Sequence, residues 1–145
     1  MRPLDLLLAL NALALTGCAA LAPGEPSVET VELTAQAAAT VADDLVRMLT
    51  RRYGPAETLL VLPHPRRPLG ESLERALRRA GYAVRTDGAA AGVPVAYVVD
   101  GFAPDQVLVR FTVGPEDRLA RVYTIQGGRA FPASAFTHAQ GADSP

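Results

Sequence analysis

The stretch TLLVLPHPRRPLGESLERALRRAGYAVRT, residues 58–86, decides the fold. It begins with a short apolar run, 58–62, closed by a proline, which is typical of a strand buried on both faces. Apolar residues then recur at the spacing of one helix face, and Gly81 ends the helix. They are Leu69, Leu73, Ala76, Leu77 and Ala80. Tyr82 to Thr86 resumes as a strand, so the stretch predicts a β-α-β unit.

A second amphipathic helix is predicted before this unit. Its apolar stripe follows helical spacing and consists of Val41, Leu45, Met48, Leu49 and Tyr53. Thr40 is a candidate N-cap, which places Asp43 and Asp44 in the first turn, where acidic side chains complement the helix dipole. An earlier start near Thr34 is also open, because residues 35–39 permit a helix.

Three strand-like runs follow the unit, at residues 95–100, 107–113 and 119–126. Turns rich in glycine and proline separate them, and the middle run alternates, which places Arg110 on a partly exposed face and indicates an antiparallel meander. Residues 130–136 add a short edge segment. The predicted fold class is α+β: an α/β sandwich with two helices packed on a mixed four- to five-stranded sheet that contains one β-α-β unit and an antiparallel meander.

The N-terminus is typical of a secretory signal. Arg2 supplies the positive charge, and the run from Leu4 to Leu15 is rich in leucine and alanine. This run is shorter than the roughly 20 residues that a membrane-spanning helix needs. We therefore predict that residues 1–17 are a signal peptide that is removed.

Cys18 is the only cysteine of the 145-residue chain and follows this signal directly. The sequence Leu15-Thr16-Gly17-Cys18 resembles the lipobox of bacterial lipoproteins. That resemblance implies attachment of diacylglycerol to the thiol, cleavage before Cys18 and acylation of the new amino terminus. Ala19 follows, where lipoproteins retained in the inner membrane carry aspartate, so the implied location is the periplasmic face of the outer membrane. The alternative is an ordinary signal peptide with an incidental thiol near its cleavage point.

The remaining chain is long enough for one domain with a core and too short for two. Residues 18–33 contain prolines, a glycine and glutamates without sustained periodicity, so we predict that they form an acylated flexible tether. We assign residues 34–136 to a single α/β periplasmic domain and residues 137–145 to a loose C-terminal tail.

The sequence carries no HExxH, GxGxxG, Walker-type or CxxC motif. His64 and His138 lie far apart, and neither has a serine, cysteine or carboxylate beside it, so we interpret both as surface residues. Asp100 and Asp105 could form a metal-binding pair, but turn-capping aspartates are the commoner case. We therefore predict no enzyme activity, no catalytic residue, no cofactor, no metal and no small-molecule substrate.

The net charge is −1, so the chain lacks the broad basic field that nucleic-acid-binding proteins use, and direct nucleic-acid binding is not expected. Arginines nevertheless gather at the start and on the outer face of the predicted second helix, at Arg66, Arg67, Arg75, Arg78 and Arg79. Two interpretations are open. The arginines form a solvated, salt-bridged face, or they form a contact patch for an acidic partner protein or for lipid head groups.

Several segments together resemble the TrbH-type conjugal transfer lipoproteins. They are the lipobox LTGC, the helix-to-strand segment ALRRAGYAV, the YVVD run and LARVYTIQGGRAFPASAF near the end, which includes Arg121-Val122-Tyr123. The likeness covers most of residues 35–136. It implies an outer-membrane-anchored component of the mating-pair formation machinery of a type IV secretion system, without catalytic activity. The implied partners are other apparatus proteins and the membrane. The resemblance adds no site residue to Cys18.

A second function class also suits these elements. The helix-to-strand step and the meander are compatible with a periplasmic lipoprotein that regulates or binds cell-envelope proteins, such as wall-synthesis enzymes. A small hydrolase is a third, minor option, which a deep pocket with convergent titratable groups would favour.

Overall fold

The computed structural model describes residues 27–63, 65–88 and 91–140. These residues form two α-helices, a short 3₁₀ helix at Pro55–Glu57 and eight strands. The helices are α1 (Ala35–Thr50) and α2 (Pro68–Arg79), and the strands are β1 (Val28–Glu29), β2 (Leu59–Val61), β3 (Ala83–Arg85), β4 (Val93–Ala103), β5 (Gln106–Val113), β6 (Asp117–Gln126), β7 (Arg129–Pro132) and β8 (Thr137–Gln140).

The main path of the sheet runs β3-β2-β4-β5-β6-β7. β2 is parallel to both β3 and β4, and Leu60 pairs with Val84, so the predicted β-α-β unit is confirmed. β4, β5, β6 and β7 are antiparallel neighbours, as the predicted meander and edge segment require. The α+β fold class is therefore confirmed, with a mixed sheet of more strands than predicted.

The additional strands arise because β4 and β6 are long enough to take two partners along one edge. β4 pairs with β2 through Val93 and Pro94 and with β1 further along. β6 pairs with β8 through residues 117–120 and with β7 through residues 123–126. β1 lies within the stretch assigned to the tether and β8 within the stretch assigned to the loose tail, so both segments extend the domain beyond its predicted limits.

Both helices pack on one face of the sheet. Alternate side chains of the three central strands point toward them and are buried, namely Val95, Tyr97, Val99, Val107, Val109, Phe111, Val113, Leu119 and Tyr123. Leu45 and Leu49 of α1 and Leu73 and Leu77 of α2 fill the other side of this core, which confirms the apolar stripes that predicted the helices. The result is a two-layer structure around a single core.

α1 begins at the earlier of the two predicted starts. The Thr34 side chain accepts a hydrogen bond from the Ala37 amide at 3.1 Å, which is the geometry of an N-cap. Thr34 Oγ1 also donates to the carbonyl of Gly128, so the cap ties the helix to the turn between β6 and β7. Gly127 and Gly128 form that turn with φ angles of 55° and 74°, as a two-residue type I′ hairpin requires.

α2 receives its N-terminal cap from a distant part of the chain. Its own cap position is Arg67, which has no side-chain oxygen to accept a hydrogen bond. Glu29 of β1 takes this role, because its Oε1 accepts from the Leu69 amide at 3.1 Å and from the Tyr97 hydroxyl at 3.2 Å. Burial raises the pKa of Glu29, while the Tyr97 hydroxyl and the amides of Gly70 and Leu69 act in the opposite direction. The cap fastens residues 28–34 to the domain.

Gly70 in the first turn of α2 is predicted to be intolerant of a side chain. A Cβ atom there would lie 2.5 Å from the Tyr97 hydroxyl and 2.9 Å from the Pro65 Cα. Gly70→Ala should therefore lower the free energy of unfolding by about 1–3 kcal/mol through overpacking, although glycine-to-alanine changes inside helices usually stabilise. Urea unfolding of the purified variant, followed by circular dichroism, measures the change.

Gly54→Ala is the matched control. A Cβ atom at Gly54 would meet nothing within 4 Å, and its φ of −67° suits any residue. We expect this variant to match the parent or to be slightly more stable, because alanine restricts the unfolded chain. Equal unfolding midpoints for the two variants would show that α2 does not pack against Tyr97 and Pro65 as described.

Candidate functional site

A buried carboxylate connects α1 to the sheet. Asp44 lies in the middle of α1 and is 7% exposed. Its Oδ2 accepts from the Tyr123 hydroxyl at 2.7 Å and from Arg121 Nη1 at 2.8 Å, both on β6. Its Oδ1 accepts from Arg47 Nη2 at 3.1 Å, one turn along the helix. Both carboxylate oxygens are therefore engaged, as a buried charge requires.

The Tyr123 hydroxyl is a fixed donor in this network. Burial, followed by the hydrogen bond to the Asp44 carboxylate, raises the pKa of Tyr123. The hydroxyl consequently keeps its proton over the physiological range and holds the negative charge of Asp44 in the core. Asp44 thus has a structural role inside α1, instead of the first-turn position that a helix start at Thr40 would have given it.

Arg121 is held on several sides. Besides its bond to Asp44, its Nε donates to the Ser134 carbonyl at 2.8 Å. Its guanidinium lies 4.6 Å from the centroid of the Phe136 ring and 5.9 Å from that of Tyr123, within the range of cation–π contacts. These contacts fix residues 134–136, which connect β7 to β8, against the middle of β6.

An open groove lies along this network between α1 and residues 134–136. We call it the arginine groove, and it has a volume of about 470 Å³. Its lining consists of Asp44, Arg47, Met48, Arg51, Arg121, Ala135 and Phe136. The Arg121 side chain is 20% exposed, whereas the Arg47 side chain is 71% exposed. The groove therefore combines apolar surface with guanidinium groups at two depths.

A second polar cluster joins the end of α1 to β6 and β8. Asp117 at the start of β6 accepts from Tyr53 through Oδ2 and from Arg52 Nη1 through Oδ1 at 3.2 Å. His138 Nε2 of β8 lies 2.7 Å from the same Oδ1, and Arg52 also contacts the His138 ring. Burial, followed by the hydrogen bond to Asp117, raises the pKa of Tyr53 to about 12. The Tyr53 hydroxyl is thus a hydrogen-bond donor in the cluster that holds the end of α1 and β8 on β6.

The pKa of Asp117 is set by opposing effects. Burial alone raises the pKa of this carboxyl, but the hydrogen bonds from Tyr53 and His138 and the positive charge of Arg52 outweigh burial. The net result is a pKa below the ordinary value of 3.8. The carboxylate is therefore the stable form, and each of its contacts strengthens when the carboxyl loses its proton.

The site residues considered in the sequence fall in different places. Cys18 and His64 lie outside the described residues. The expectation that His138 has no neighbouring carboxylate is wrong, because strand pairing brings Asp117 to it from 21 residues away. Asp100 binds Arg110 and Thr30, and Asp105 occupies the β4–β5 turn with a φ of 58°. Asp105 therefore has the turn position that the simpler interpretation gave both aspartates, whereas Asp100 lies within β4 and forms an ion pair that was not predicted.

Most of the arginines around α2 are engaged within the chain. Arg78 forms an ion pair with Glu74 at 2.9 Å, and Arg79 forms one with Asp43 of α1 at 2.8 Å. Arg67 contacts Glu32 and Arg75 contacts the Ser72 hydroxyl. This pattern fits the salt-bridged interpretation of the α2 face. The arginines that line the arginine groove are on β6 and at the C-terminal part of α1, outside the α2 cluster that the sequence indicated.

Two further properties concern the described part of the chain. Within it, no group of three or more histidine, cysteine, aspartate or glutamate side chains is arranged to hold a metal ion. Its two helices are also too short, or not apolar enough, to cross a bilayer.

The fold and these contacts define a class of small α+β domain in which a long helix is tied along one strand of a mixed sheet by buried and half-buried ion pairs. The family model for the conjugal transfer protein TrbH matches residues 22–141, and the chain belongs to this family. It is therefore a conjugal transfer component. Comparisons with curated proteins and with solved structures give no match.

Substitution of Asp44 should be among the most destabilising single changes in α1. Asp44→Ala leaves Arg121 and the Tyr123 hydroxyl without their partner in a buried site, so we expect the free energy of unfolding to fall by about 3 kcal/mol. Tyr123→Phe removes one hydrogen bond and should cost about 1 kcal/mol. Urea unfolding of each purified variant measures both values.

The preceding residue provides the control for this prediction. Asp43 pairs with Arg79, but the two side chains are 54% and 70% exposed. Asp43→Ala should therefore change the free energy of unfolding by no more than about 0.5 kcal/mol. A similar loss for the Asp43 and Asp44 variants would rule out a special role for the buried network.

The Asp117 cluster predicts a dependence of stability on acid pH. Because the pKa of Asp117 is lower in the folded state than in the unfolded state, the unfolded chain takes up the proton first as the pH falls. The contribution of Asp117 to the free energy of unfolding is therefore fully present above the unfolded pKa. It is lost as the pH falls through the folded pKa. The difference in unfolding free energy between the parent and Asp117→Asn should thus shrink from about pH 5 to about pH 2.

Unfolding measured at a series of pH values tests this expectation. Tyr53→Phe removes one of the hydrogen bonds that lower the pKa of Asp117, so in this background the pH-dependent part of the difference should be smaller. A difference between parent and Asp117→Asn that stays constant over the series would show that Asp117 does not titrate with a lowered pKa.

Proposed function

We propose that this chain is an outer-membrane lipoprotein, lipidated at Cys18, that acts as a structural and assembly component of a conjugative DNA transfer apparatus of the type IV secretion class. The observation that carries the proposal is the position of the sole cysteine. Cys18 follows a signal-like apolar run and precedes residue 22, where the match to the conjugal transfer family begins. An acylated residue there would anchor the family domain without a membrane-spanning helix.

The fold supports a short connection between this anchor and the domain. The Ser27 hydroxyl accepts from the Tyr97 amide at 3.2 Å, and β1 begins at the next residue. The chain from Cys18 to Ser27 can therefore span at most about 30 Å when fully extended. A domain anchored in this way would stay close to the periplasmic face of the membrane. Its reach would be shorter than that of a domain on a tether that extends to residue 33.

The use of charged groups supports a structural role without catalysis. The carboxylates of Glu29, Asp44 and Asp117 accept hydrogen bonds from elements that are distant in sequence. Each of them therefore joins parts of the fold, which is a structural use of charge.

The test is a transfer assay with a matched anchoring control. The gene is deleted from a transfer-competent element and restored as the parent, as Cys18→Ala, or with residues 1–17 replaced by a signal peptide that directs export without lipidation. The number of recipients that acquire DNA per donor cell is counted, and membrane fractionation and palmitate labelling are measured on the same strains. The non-lipidated exported form separates loss of the anchor from loss of export.

We expect transfer to fall on deletion and to return fully only with the parent. Palmitate should label the parent and not the Cys18→Ala variant. Transfer that is unaffected by deletion would overturn the assembly role and favour a regulator of other envelope proteins. Transfer restored equally by the non-lipidated exported form would overturn the requirement for the anchor.

A further inference from the structure

We propose that the arginine groove binds an acidic segment of a partner protein in which carboxylate side chains alternate with apolar ones. This inference deepens the proposed function and rests on it, because a component of a transfer apparatus has partner proteins in that apparatus. The groove contains three arginine side chains and one carboxylate, and it also contains exposed apolar surface. Its chemistry is thus complementary to a segment that carries both negative charge and apolar side chains.

The groove carries positive charge that the chain itself does not neutralise. Asp44 uses both oxygens on Arg47, Arg121 and Tyr123, so it offsets only one of the positive charges that line the groove. The contact of Arg51 is to the uncharged Met48 sulfur at 3.9 Å. The groove therefore has a local positive excess, although the whole chain has a net charge of −1.

Two arginines of α2 contrast with Arg51 of the groove. Arg78 and Arg79 are each paired with a carboxylate of the chain, at 2.9 Å and 2.8 Å. Each of these pairs already places a carboxylate of the chain beside the arginine. Arg51 contacts only an uncharged sulfur in this way, and the Arg47 side chain is 71% exposed beside its Asp44 contact, so both guanidinium groups can donate to a carboxylate of a ligand.

Arg121 is preorganised for contact with a ligand in the groove. Its position is already fixed by Asp44, by the Ser134 carbonyl and by the Phe136 ring. A ligand that reaches it therefore orders little additional side-chain freedom, which favours binding. The exposed guanidinium groups of Arg47 and Arg51 add planar arrays of donors that match a carboxylate.

The apolar part of the groove suits aliphatic or aromatic side chains. Met48 and Phe136 are half-buried and pack against the core on one side, while their other sides line the groove. Methionine adapts to differently shaped apolar groups because its side chain is unbranched and polarizable. A volume of about 470 Å³ accommodates a few side chains of a peptide.

The concave shape favours a peptide over a membrane surface. A bilayer could contact the exposed Arg47, but the Arg121 side chain is only 20% exposed. A protruding glutamate or aspartate side chain can reach it. A flat layer of lipid head groups engages exposed charges instead. If lipid head groups were the ligand, Arg121 and the apolar lining would contribute nothing to binding.

The binding experiment uses the full lipidated chain in neutral detergent and two fluorescein-labelled ten-residue peptides. One peptide alternates glutamate with leucine, and the other carries glutamine in place of glutamate. Fluorescence anisotropy should show binding of the acidic peptide that weakens with added salt, and at least about tenfold weaker binding of the glutamine peptide. Vesicles of phosphatidylglycerol, assayed by co-sedimentation, test the lipid alternative.

Three variants locate the binding. Arg47→Gln combined with Arg51→Gln should reduce the affinity for the acidic peptide by about tenfold or more. Ala135→Glu places a negative charge in the groove at an exposed loop position that holds no other element, so it should reduce affinity without affecting folding. Arg75→Gln, on α2 outside the groove, is the control and should bind as the parent does.

Several results would overturn the inference. They are failure of the parent to bind the acidic peptide, equal binding by the parent and the Ala135→Glu variant, and loss of vesicle binding in the groove variants without any peptide binding. Peptide binding is measured on purified protein and does not depend on DNA transfer. A negative result would therefore leave the transfer assay standing, and a failure of the transfer assay would leave peptide binding unaffected.

Discussion

The pairing of the Asp44 carboxylate with Arg121 and Tyr123 is the constraint on which the rest of the structure depends. A negative charge in the middle of an otherwise apolar helix face would be costly to bury without partners, and these two side chains are the donors that make burial possible. Because these donors belong to β6, α1 cannot rotate about its axis or slide along the sheet without losing both of their hydrogen bonds to the charge. Apolar packing alone tolerates such shifts more readily.

β6 consequently organises both layers. α1 and the residues at its two ends are attached along β6 at three levels. Thr34 binds the turn that follows β6, Asp44 binds the middle of β6, and Tyr53, after the end of α1, binds its start. The same strand pairs with β5, β7 and β8. The chain therefore gains order from contacts between residues far apart in sequence, and residues 134–136 are held in place because both their flanking strands pair with β6. This arrangement builds the wall of the arginine groove.

The parts of the fold that were predictable from the sequence are those encoded locally. The periodic residues of α2, the apolar run at 58–62 and the strand-like run at 82–86 sufficed to predict the β-α-β unit, since each signal lies within one element. β1 and β8 gave no such signal. β8 has the polar sequence THAQ, and all four of its residues are exposed, so its strand conformation comes from pairing with β6 rather than from alternation. The site was less predictable still, because Asp44 and Arg121 are 77 residues apart and only folding brings them together.

The position of β1 relates the proposed anchor to the proposed binding surface. β1 pairs with the edge of β4 that faces away from β5, whereas the arginine groove lies beyond β5, on α1 and β6. β1 therefore lies on the opposite side of the central strands from the groove. A short connection would hold the domain near the membrane through its β1 side while the groove stays accessible. An anchor and a partner site on the same side would compete for space within the reach of about 30 Å, so their separation allows one small domain to hold a membrane attachment and a partner contact at once.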